Sequence, residues 1–326
     1  MTVLADRHNL DTEIAPSDQK ADTYVSLIKR LSTQSVEKHF DAYADIDWDS
    51  KEMSVDQDDP RWILRNGELD PLGTTAWYKD LDDKTASRIG LHMVAMKMKI
   101  GLQFEGVLKR GLLGFAAKLP NNSPEFRYCY HEVIEEAQHS LMFQEFVNRT
   151  GLDVPGLSGM DEFGANTVVQ LGRRFPPLFF FFVLGGEDPI DFVQRKALRS
   201  DADIHPLLER IMRIHVTEEA RHLSFARNYL KKNVPNLDPI RRQALAMGIP
   251  AILGSMAQLM MQAPSHVVKT YEIPKEVVKE AYGSDIHRQN TLASLAKVRK
   301  LTNELGLINP VSIQIWKRFG IWDEPK

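Results

Sequence analysis

His215, Glu219 and His222 stand four and three residues apart in one short stretch of the chain. An α-helix turns about 100° per residue, so this spacing gathers the three side chains within roughly 60° of one face. Two imidazoles and a carboxylate converging from one stripe are donors for a metal ion. Glu136 and His139 repeat the Glu-x-x-His half of the pattern. Two lone acids extend the set. Glu105 shares its helical face with Met98, Gly101, Leu102, Leu108 and Leu112, Lys109 being the exception, and Glu187 shares its face with Phe180, Val183, Leu184 and Ile190. A carboxylate on an apolar stripe faces burial, which is costly unless a partner such as a metal cation compensates it.

The order of these residues repeats. Glu105 precedes Glu136 by 31 residues and Glu187 precedes Glu219 by 32. Each half is therefore a helix bearing Glu, a turn, and a helix bearing Glu-x-x-His, the pattern of dinuclear carboxylate bundles. Glu105, Glu136, His139, Glu187, Glu219 and His222 are six candidate ligands, with His215 a seventh that makes two ions inequivalent. Four glutamates neutralise two ferrous ions, and a low-dielectric interior favours a neutral site. Oxygen and imidazole donors suit iron, or manganese. Glu132, one turn before Glu136, is expected to accept a hydrogen bond and so orient a ligand. Glu135 and Glu218 are expected at the surface or in the same supporting role. His92, His131 and His205 have no partners at ligand spacing and are expected to be structural. Cys129 is the one cysteine, expected as a small buried residue. It leaves no internal disulfide and no multi-cysteine zinc or iron–sulfur site.

The elements that must carry these residues read as helices throughout. Apolar residues keep helical spacing over 23–40, 83–118, 124–150, 165–200 with a break or fresh start at Pro176-Pro177, 205–233 and 239–261. Shorter helices are expected at 274–283 and 285–305. Ser123 is placed to cap the second core helix, with Gly151 to end it. The stretch 41–82 reads as irregular structure anchored by Trp48, Trp62 and Trp77, and 151–164 as a loop. No segment alternates with a two-residue period. The expectation is one all-α domain: a loose tail over 1–20, a ferritin-like four-helix bundle core over 85–235, and further helices before it and over 236–326. The Met-rich and Phe-rich runs read as core.

The chain has 326 residues and a formal net charge of −3. No global field points to nucleic acid or an anionic membrane. The start of the chain lacks the pattern of a signal peptide, and the most apolar run, read as Leu178–Leu184, is too short to span a bilayer. Cytoplasmic residence is the expectation.

The set Glu105 … Glu136-x-x-His139 … Glu187 … His215-x-x-x-Glu219-x-x-His222 resembles the p-aminobenzoate N-oxygenase family of non-haem di-iron proteins. The histidine one turn before the last Glu-x-x-His separates that family from ferritins. The resemblance implies that all seven residues bind the two irons. It also implies that O₂ is the co-substrate and that an aryl amine is oxidised through a peroxo-bridged diferric intermediate. A homodimer is expected on the same ground. The chain has no dinucleotide fingerprint, so an external electron donor or reductase is required. Other readings are a di-iron oxidase of a different small molecule, a ferritin-type ferroxidase, and a metal-free interaction scaffold. The stretch Asp188–Val193, read as a short turn, offers acidic and apolar groups; Arg288 and Arg299 are candidates to anchor a substrate carboxylate.

Overall fold

The structure, a computed structural model, describes residues 19–64, 70–157 and 159–323. Among these residues every regular element is helical and no strand occurs. Two helical hairpins form the centre: α3 (Asp83–Ala116) with α4 (Pro124–Thr150), and α6 (Pro176–Arg199) with α7 (Pro206–Asn233), counting α1 (Gln19–Glu37), α2 (Ala76–Lys79) and α5 (Gly159–Arg174) as the intervening elements. α1 packs on α4 and α7, α5 on α3 and α6, and α8 (Pro239–Met261) on α6. The C-terminal part holds α9 (Ser265–Thr270), α10 (Lys275–Tyr282), α11 (Asp285–Ser294), α12 (Ala296–Glu304) and α13 (Pro310–Arg318). The all-α, ferritin-like expectation stands.

Local chemistry sets the boundaries. Asp82 accepts from the Thr85 amide and starts α3; Gly151, at φ 64°, ends α4 in the left-handed conformation that glycine adopts without strain. Ser123 does precede α4, but its hydroxyl donates to the Glu125 carboxylate and not to the helix end. Pro176 begins a new helix after α5, so the break at the double proline is a fresh start. The Phe179–Phe182 run is buried against Phe104, Phe115, Phe225 and Tyr229. Cys129 is buried as expected. Trp48 and Trp62 anchor the irregular stretch, their indole N–H groups donating to the Ala42 and Asp56 carbonyls.

Four expectations need correction. α5 begins at Gly159, inside the stretch read as a loop. The helical stretch 285–305 is split at Leu295 into α11 and α12. Asp188–Val193 is no turn: α6 runs through it with Pro189 inside the helix. A proline there removes one backbone hydrogen bond, and packing of α6 on α7 and α8 holds the helix across it. Pro239–Thr270 is a longer apolar stretch than the Phe-rich run, with mean hydropathy 1.6 in its window, and meets the length and composition of a membrane span; 44% of that window is buried within the protein. The expected tail lies outside the described residues up to position 18, and α1 already begins at Gln19.

Candidate metal centre

The two hairpins bring all seven predicted donors together. Glu105 comes from α3, Glu136 and His139 from α4, Glu187 from α6, and His215, Glu219 and His222 from α7; all are fully buried. The interface between the hairpins closes tightly here because Gly186, next to Glu187, has no side chain. A Cβ on it would stand 2.1 Å from the Phe104 ring.

Glu136 and Glu219 are central. His222 Nδ1 lies 2.9 Å from Glu136 Oε1 and 3.1 Å from Glu219 Oε1. His139 Nδ1 lies 3.2 Å from Glu136 Oε2 and 3.4 Å from Glu219 Oε1. His215 turns Nε2 to the same place, 3.7 Å from Glu105 Oε1 and 3.8 Å from Glu219 Oε1. Overlapping triads of these residues have ligand atoms within 4.8 Å of one another, among them Glu105–Glu136–Glu187 and Glu187–His215–Glu219.

The donors fit a metal pair. Both oxygens of Glu105 and Glu187 and both ring nitrogens of His215 have no hydrogen-bond partner among the described residues. An unsatisfied buried polar group costs about 1–3 kcal/mol, and a cation placed among them would offset that cost. Burial and a neighbouring carboxylate, Glu136 for Glu105 and Glu219 for Glu187, raise both acids well above the usual range. Burial also raises Glu219, against the opposing His222 charge. His139 rises to about 10 although burial opposes it, because the Glu136 and Glu218 carboxylates accept from it. His222 rises against burial through the charges of Glu219 and Glu136.

These groups carry protons that stabilise the metal-free fold below their unfolded values, about 4.3 for Glu and 6.5 for His. That stability is lost as pH rises through their folded values; His215, lowered by burial and by the His139 charge, and Glu136, lowered against burial by its Glu105 and His222 neighbours, run the other way. Chelator-treated protein should therefore melt at lower temperature at about pH 8.5 than at about pH 6. Metal addition should release protons and reverse that trend in a buffered melting series.

Two further acids complete the centre. Glu135 and Glu218 are buried, and the possibility of a surface position for them falls away. Glu218 Oε2 accepts from His139 Nε2 at 2.9 Å, and Glu135 Oε2 from His222 Nε2 at 2.7 Å. The support is crossed: each acid precedes a ligand of its own hairpin and holds the histidine of the other. Each Nε2–H bond fixes the tautomer that turns Nδ1 inward. Arg221 joins the two acids, 2.9 Å from Glu135 and 3.4 Å from Glu218, and Glu218 Oε1 also accepts the Phe40 amide at 3.1 Å. The sequence signal was the doublet Glu-Glu at the same place in both hairpins.

Glu132 differs from expectation. Among the described residues no donor reaches either of its oxygens, and its carboxylate belongs to a triad with Glu136 and His222. It takes in α4 the position that His215 takes in α7. Burial pushes its carboxyl up to about 8. Near neutral pH it keeps its proton in the metal-free protein. Lys109, the exception on the Glu105 stripe, clamps α3 to α4 by donating to the Glu136 carbonyl at 3.0 Å and to Ser140.

The remaining candidates are structural. His92 bonds the Asp153 carbonyl at 2.9 Å, His205 caps α7 and stacks on Trp62, and His131 accepts from Arg127. Asp188 pairs with Arg227, and Asp191 with Arg195 and Lys297. Arg299 holds the Leu292 and Ile321 carbonyls, Arg288 is exposed, and neither lines the cavity beside the centre.

That cavity has a volume of about 710 Å³ and abuts the centre on all four core helices. Gly101 lies one turn before Glu105, Phe143 one turn after His139, Ile190 one turn after Glu187 and Met212 one turn before His215. The Phe143 ring, 5.4 Å from the His215 ring between centroids, stands between the cavity and the donors.

Comparison with known proteins agrees with this geometry. The family model described as "P-aminobenzoate N-oxygenase AurF" matches residues 21–306. Uncharacterised proteins of Mycobacterium tuberculosis and Mycobacterium bovis are 41% identical over 303 residues, covering 93% of this chain and 88% of theirs.

Proposed function

This chain belongs to the p-aminobenzoate N-oxygenase AurF family, and from that premise we propose that it is a di-iron oxygenase that oxidises the nitrogen of an amine bound in the cavity beside the centre. The observation that carries the reading is the set of seven buried donors facing one another from four helices, three of them, Glu105, Glu187 and His215, without a hydrogen-bond partner among the described residues. Glu105, Glu136, His139, Glu187, His215, Glu219 and His222 would hold two iron ions, manganese being the alternative metal. Two irons there would supply the reduction of O₂ and the transfer of an oxygen atom.

The protein's own residues do the rest. Glu136 and Glu219, nearest to the imidazoles of both hairpins, would hold the ions together with those imidazoles. Glu105 and Glu187 are placed to neutralise from either side. Phe143 and Met212 keep bulk water off the donors, and the cavity walls position the substrate. Electrons come from a separate donor, and cytoplasmic residence accompanies the reading.

The test is O₂ uptake by reduced, iron-loaded protein over a panel of amines. Uptake that rises with an amine, with one oxygen recovered in the product, is the expected result. Uptake unaffected by any amine, together with elution from gel filtration as a large cage, would instead indicate iron storage.

A further inference from the structure

Among the described residues three fully buried carboxylates have neither oxygen in a hydrogen bond: Glu105, Glu187 and Glu132. The first two face the metal site from α3 and α6. The buried acids that serve the histidines or the fold each hold a donor. Glu135 and Glu218 hold a histidine and Arg221, Asp188 holds Arg227, and Asp191 holds Arg195. A buried carboxylate left without a partner is costly. The side chains around Glu132 offer it none. Arg221 is taken by Glu135 and Glu218, and the Tyr128 hydroxyl, one turn before Glu132, is itself unpartnered.

Glu132 stands four residues before Glu136, as His215 stands four before Glu219. One helical turn sets each beside its neighbour on the same face. Each then meets the histidine of the other hairpin. Glu132 forms a triad with Glu136 and His222, and His215 forms one with Glu105 and His139, the ligand atoms in each lying within 4.8 Å of one another. Both ring nitrogens of His215 are likewise unpartnered among the described residues. The donors therefore fall into pairs, one member from each hairpin: Glu105 with Glu187, Glu136 with Glu219, His139 with His222, and Glu132 with His215.

We propose that Glu132 is an eighth metal ligand, the carboxylate that answers His215 from the opposite hairpin. The proposal rests on the di-iron reading above and adds a donor beyond the seven that the family resemblance names. With it each hairpin supplies four donors. The two sets differ in one member, an oxygen donor in α4 against a nitrogen donor in α7. Charge gives Glu132 a distinct effect. Four glutamates cancel two ferrous ions. Against two ferric ions a fifth carboxylate lowers the excess from two positive charges to one, which favours the oxidised pair in a low-dielectric site.

Ferrous iron binding by chelator competition, with Mössbauer spectra of the iron-loaded protein, tests this. The parent should hold two ions per chain. Glu132→Gln, which keeps the shape and removes the charge, should weaken iron by about 100-fold, the upper end of the range for losing an acid that only supports a ligand. Glu132→Leu should weaken it at least as much. In Glu132→Gln the ferric-to-ferrous ratio at one fixed potential should fall about tenfold, or 59 mV for one electron. Glu132→His should restore most of the lost affinity and bring the two Mössbauer doublets together, because each hairpin then offers the same four donors. Glutamine and leucine variants that bind two ions with the parent's affinity and spectrum would overturn the proposal and leave the di-iron reading standing. A parent that saturates below two ions would overturn both.

Discussion

Replacing Glu187 with leucine should make the metal-free protein more stable while destroying its metal site. Both carboxyl oxygens of Glu187 are fully buried and have no donor among the described residues, and burial and the neighbouring Glu219 keep the group protonated well above the usual range. An unsatisfied buried polar group costs about 1–3 kcal/mol, and leucine has nearly the same volume. In a chain of this size each kcal/mol is worth about 1.5 °C, so chelator-treated Glu187→Leu should melt about 1.5–4.5 °C above the parent. The same substitution removes one of four charges that face the ions. Bound iron should fall by at least one ion per chain, and oxygenase turnover by three orders of magnitude or more. The opposite signs are the diagnostic. A core carboxylate with only a structural role would lose stability on substitution and leave metal content alone.

The second large effect concerns the crossed pair. Glu135→Ala and Glu218→Ala should each weaken iron binding by about 10–100-fold, the usual cost of losing the acid that orients a ligating histidine. Glu135 is held near 2 although burial opposes it, because His222 donates to it and Arg221 lies beside it. It is therefore ionised throughout the working range. The two substitutions should not act alike. Loss of Glu135 frees His222 and loss of Glu218 frees His139, so each variant should change the spectrum of the loaded protein in its own way. Arg221 contacts both acids. The double variant should therefore depart from additivity by about 0.5–3 kcal/mol, read from chelator competition. Additive losses with an unchanged spectrum of the loaded protein would show that the acids serve packing only.

The donors themselves were legible because their spacing obeys the helix. Residues three and four apart share a face whatever surrounds them, so His215, Glu219 and His222 could be placed together before any packing was known. Glu135 and Glu218 were not legible in that way. Each points about 100° away from its neighbouring ligand, a direction that is solvent in an isolated hairpin. Here the other hairpin's histidine fills it, and the Phe40 backbone closes over Glu218. Asp188-Pro189 misled for a related reason. Proline next to paired glycines signals a break, but packing of α6 against α7 and α8 carries the helix through. The cavity could not be read from sequence at all, since its lining comes from four core helices, the loop after α6, the irregular stretch at 60–64 and 70–71, and α8 and α11.

The central claim is that four buried glutamates are tolerated because two cations stand among them. Anaerobic titration of the metal-free protein with ferrous iron, with bound metal counted by dialysis, addresses it directly. The account requires saturation at two ions per chain, with proton release on binding. Saturation below one ion per chain, or two ions still bound after Glu136 and Glu219 are both replaced by leucine, would contradict it.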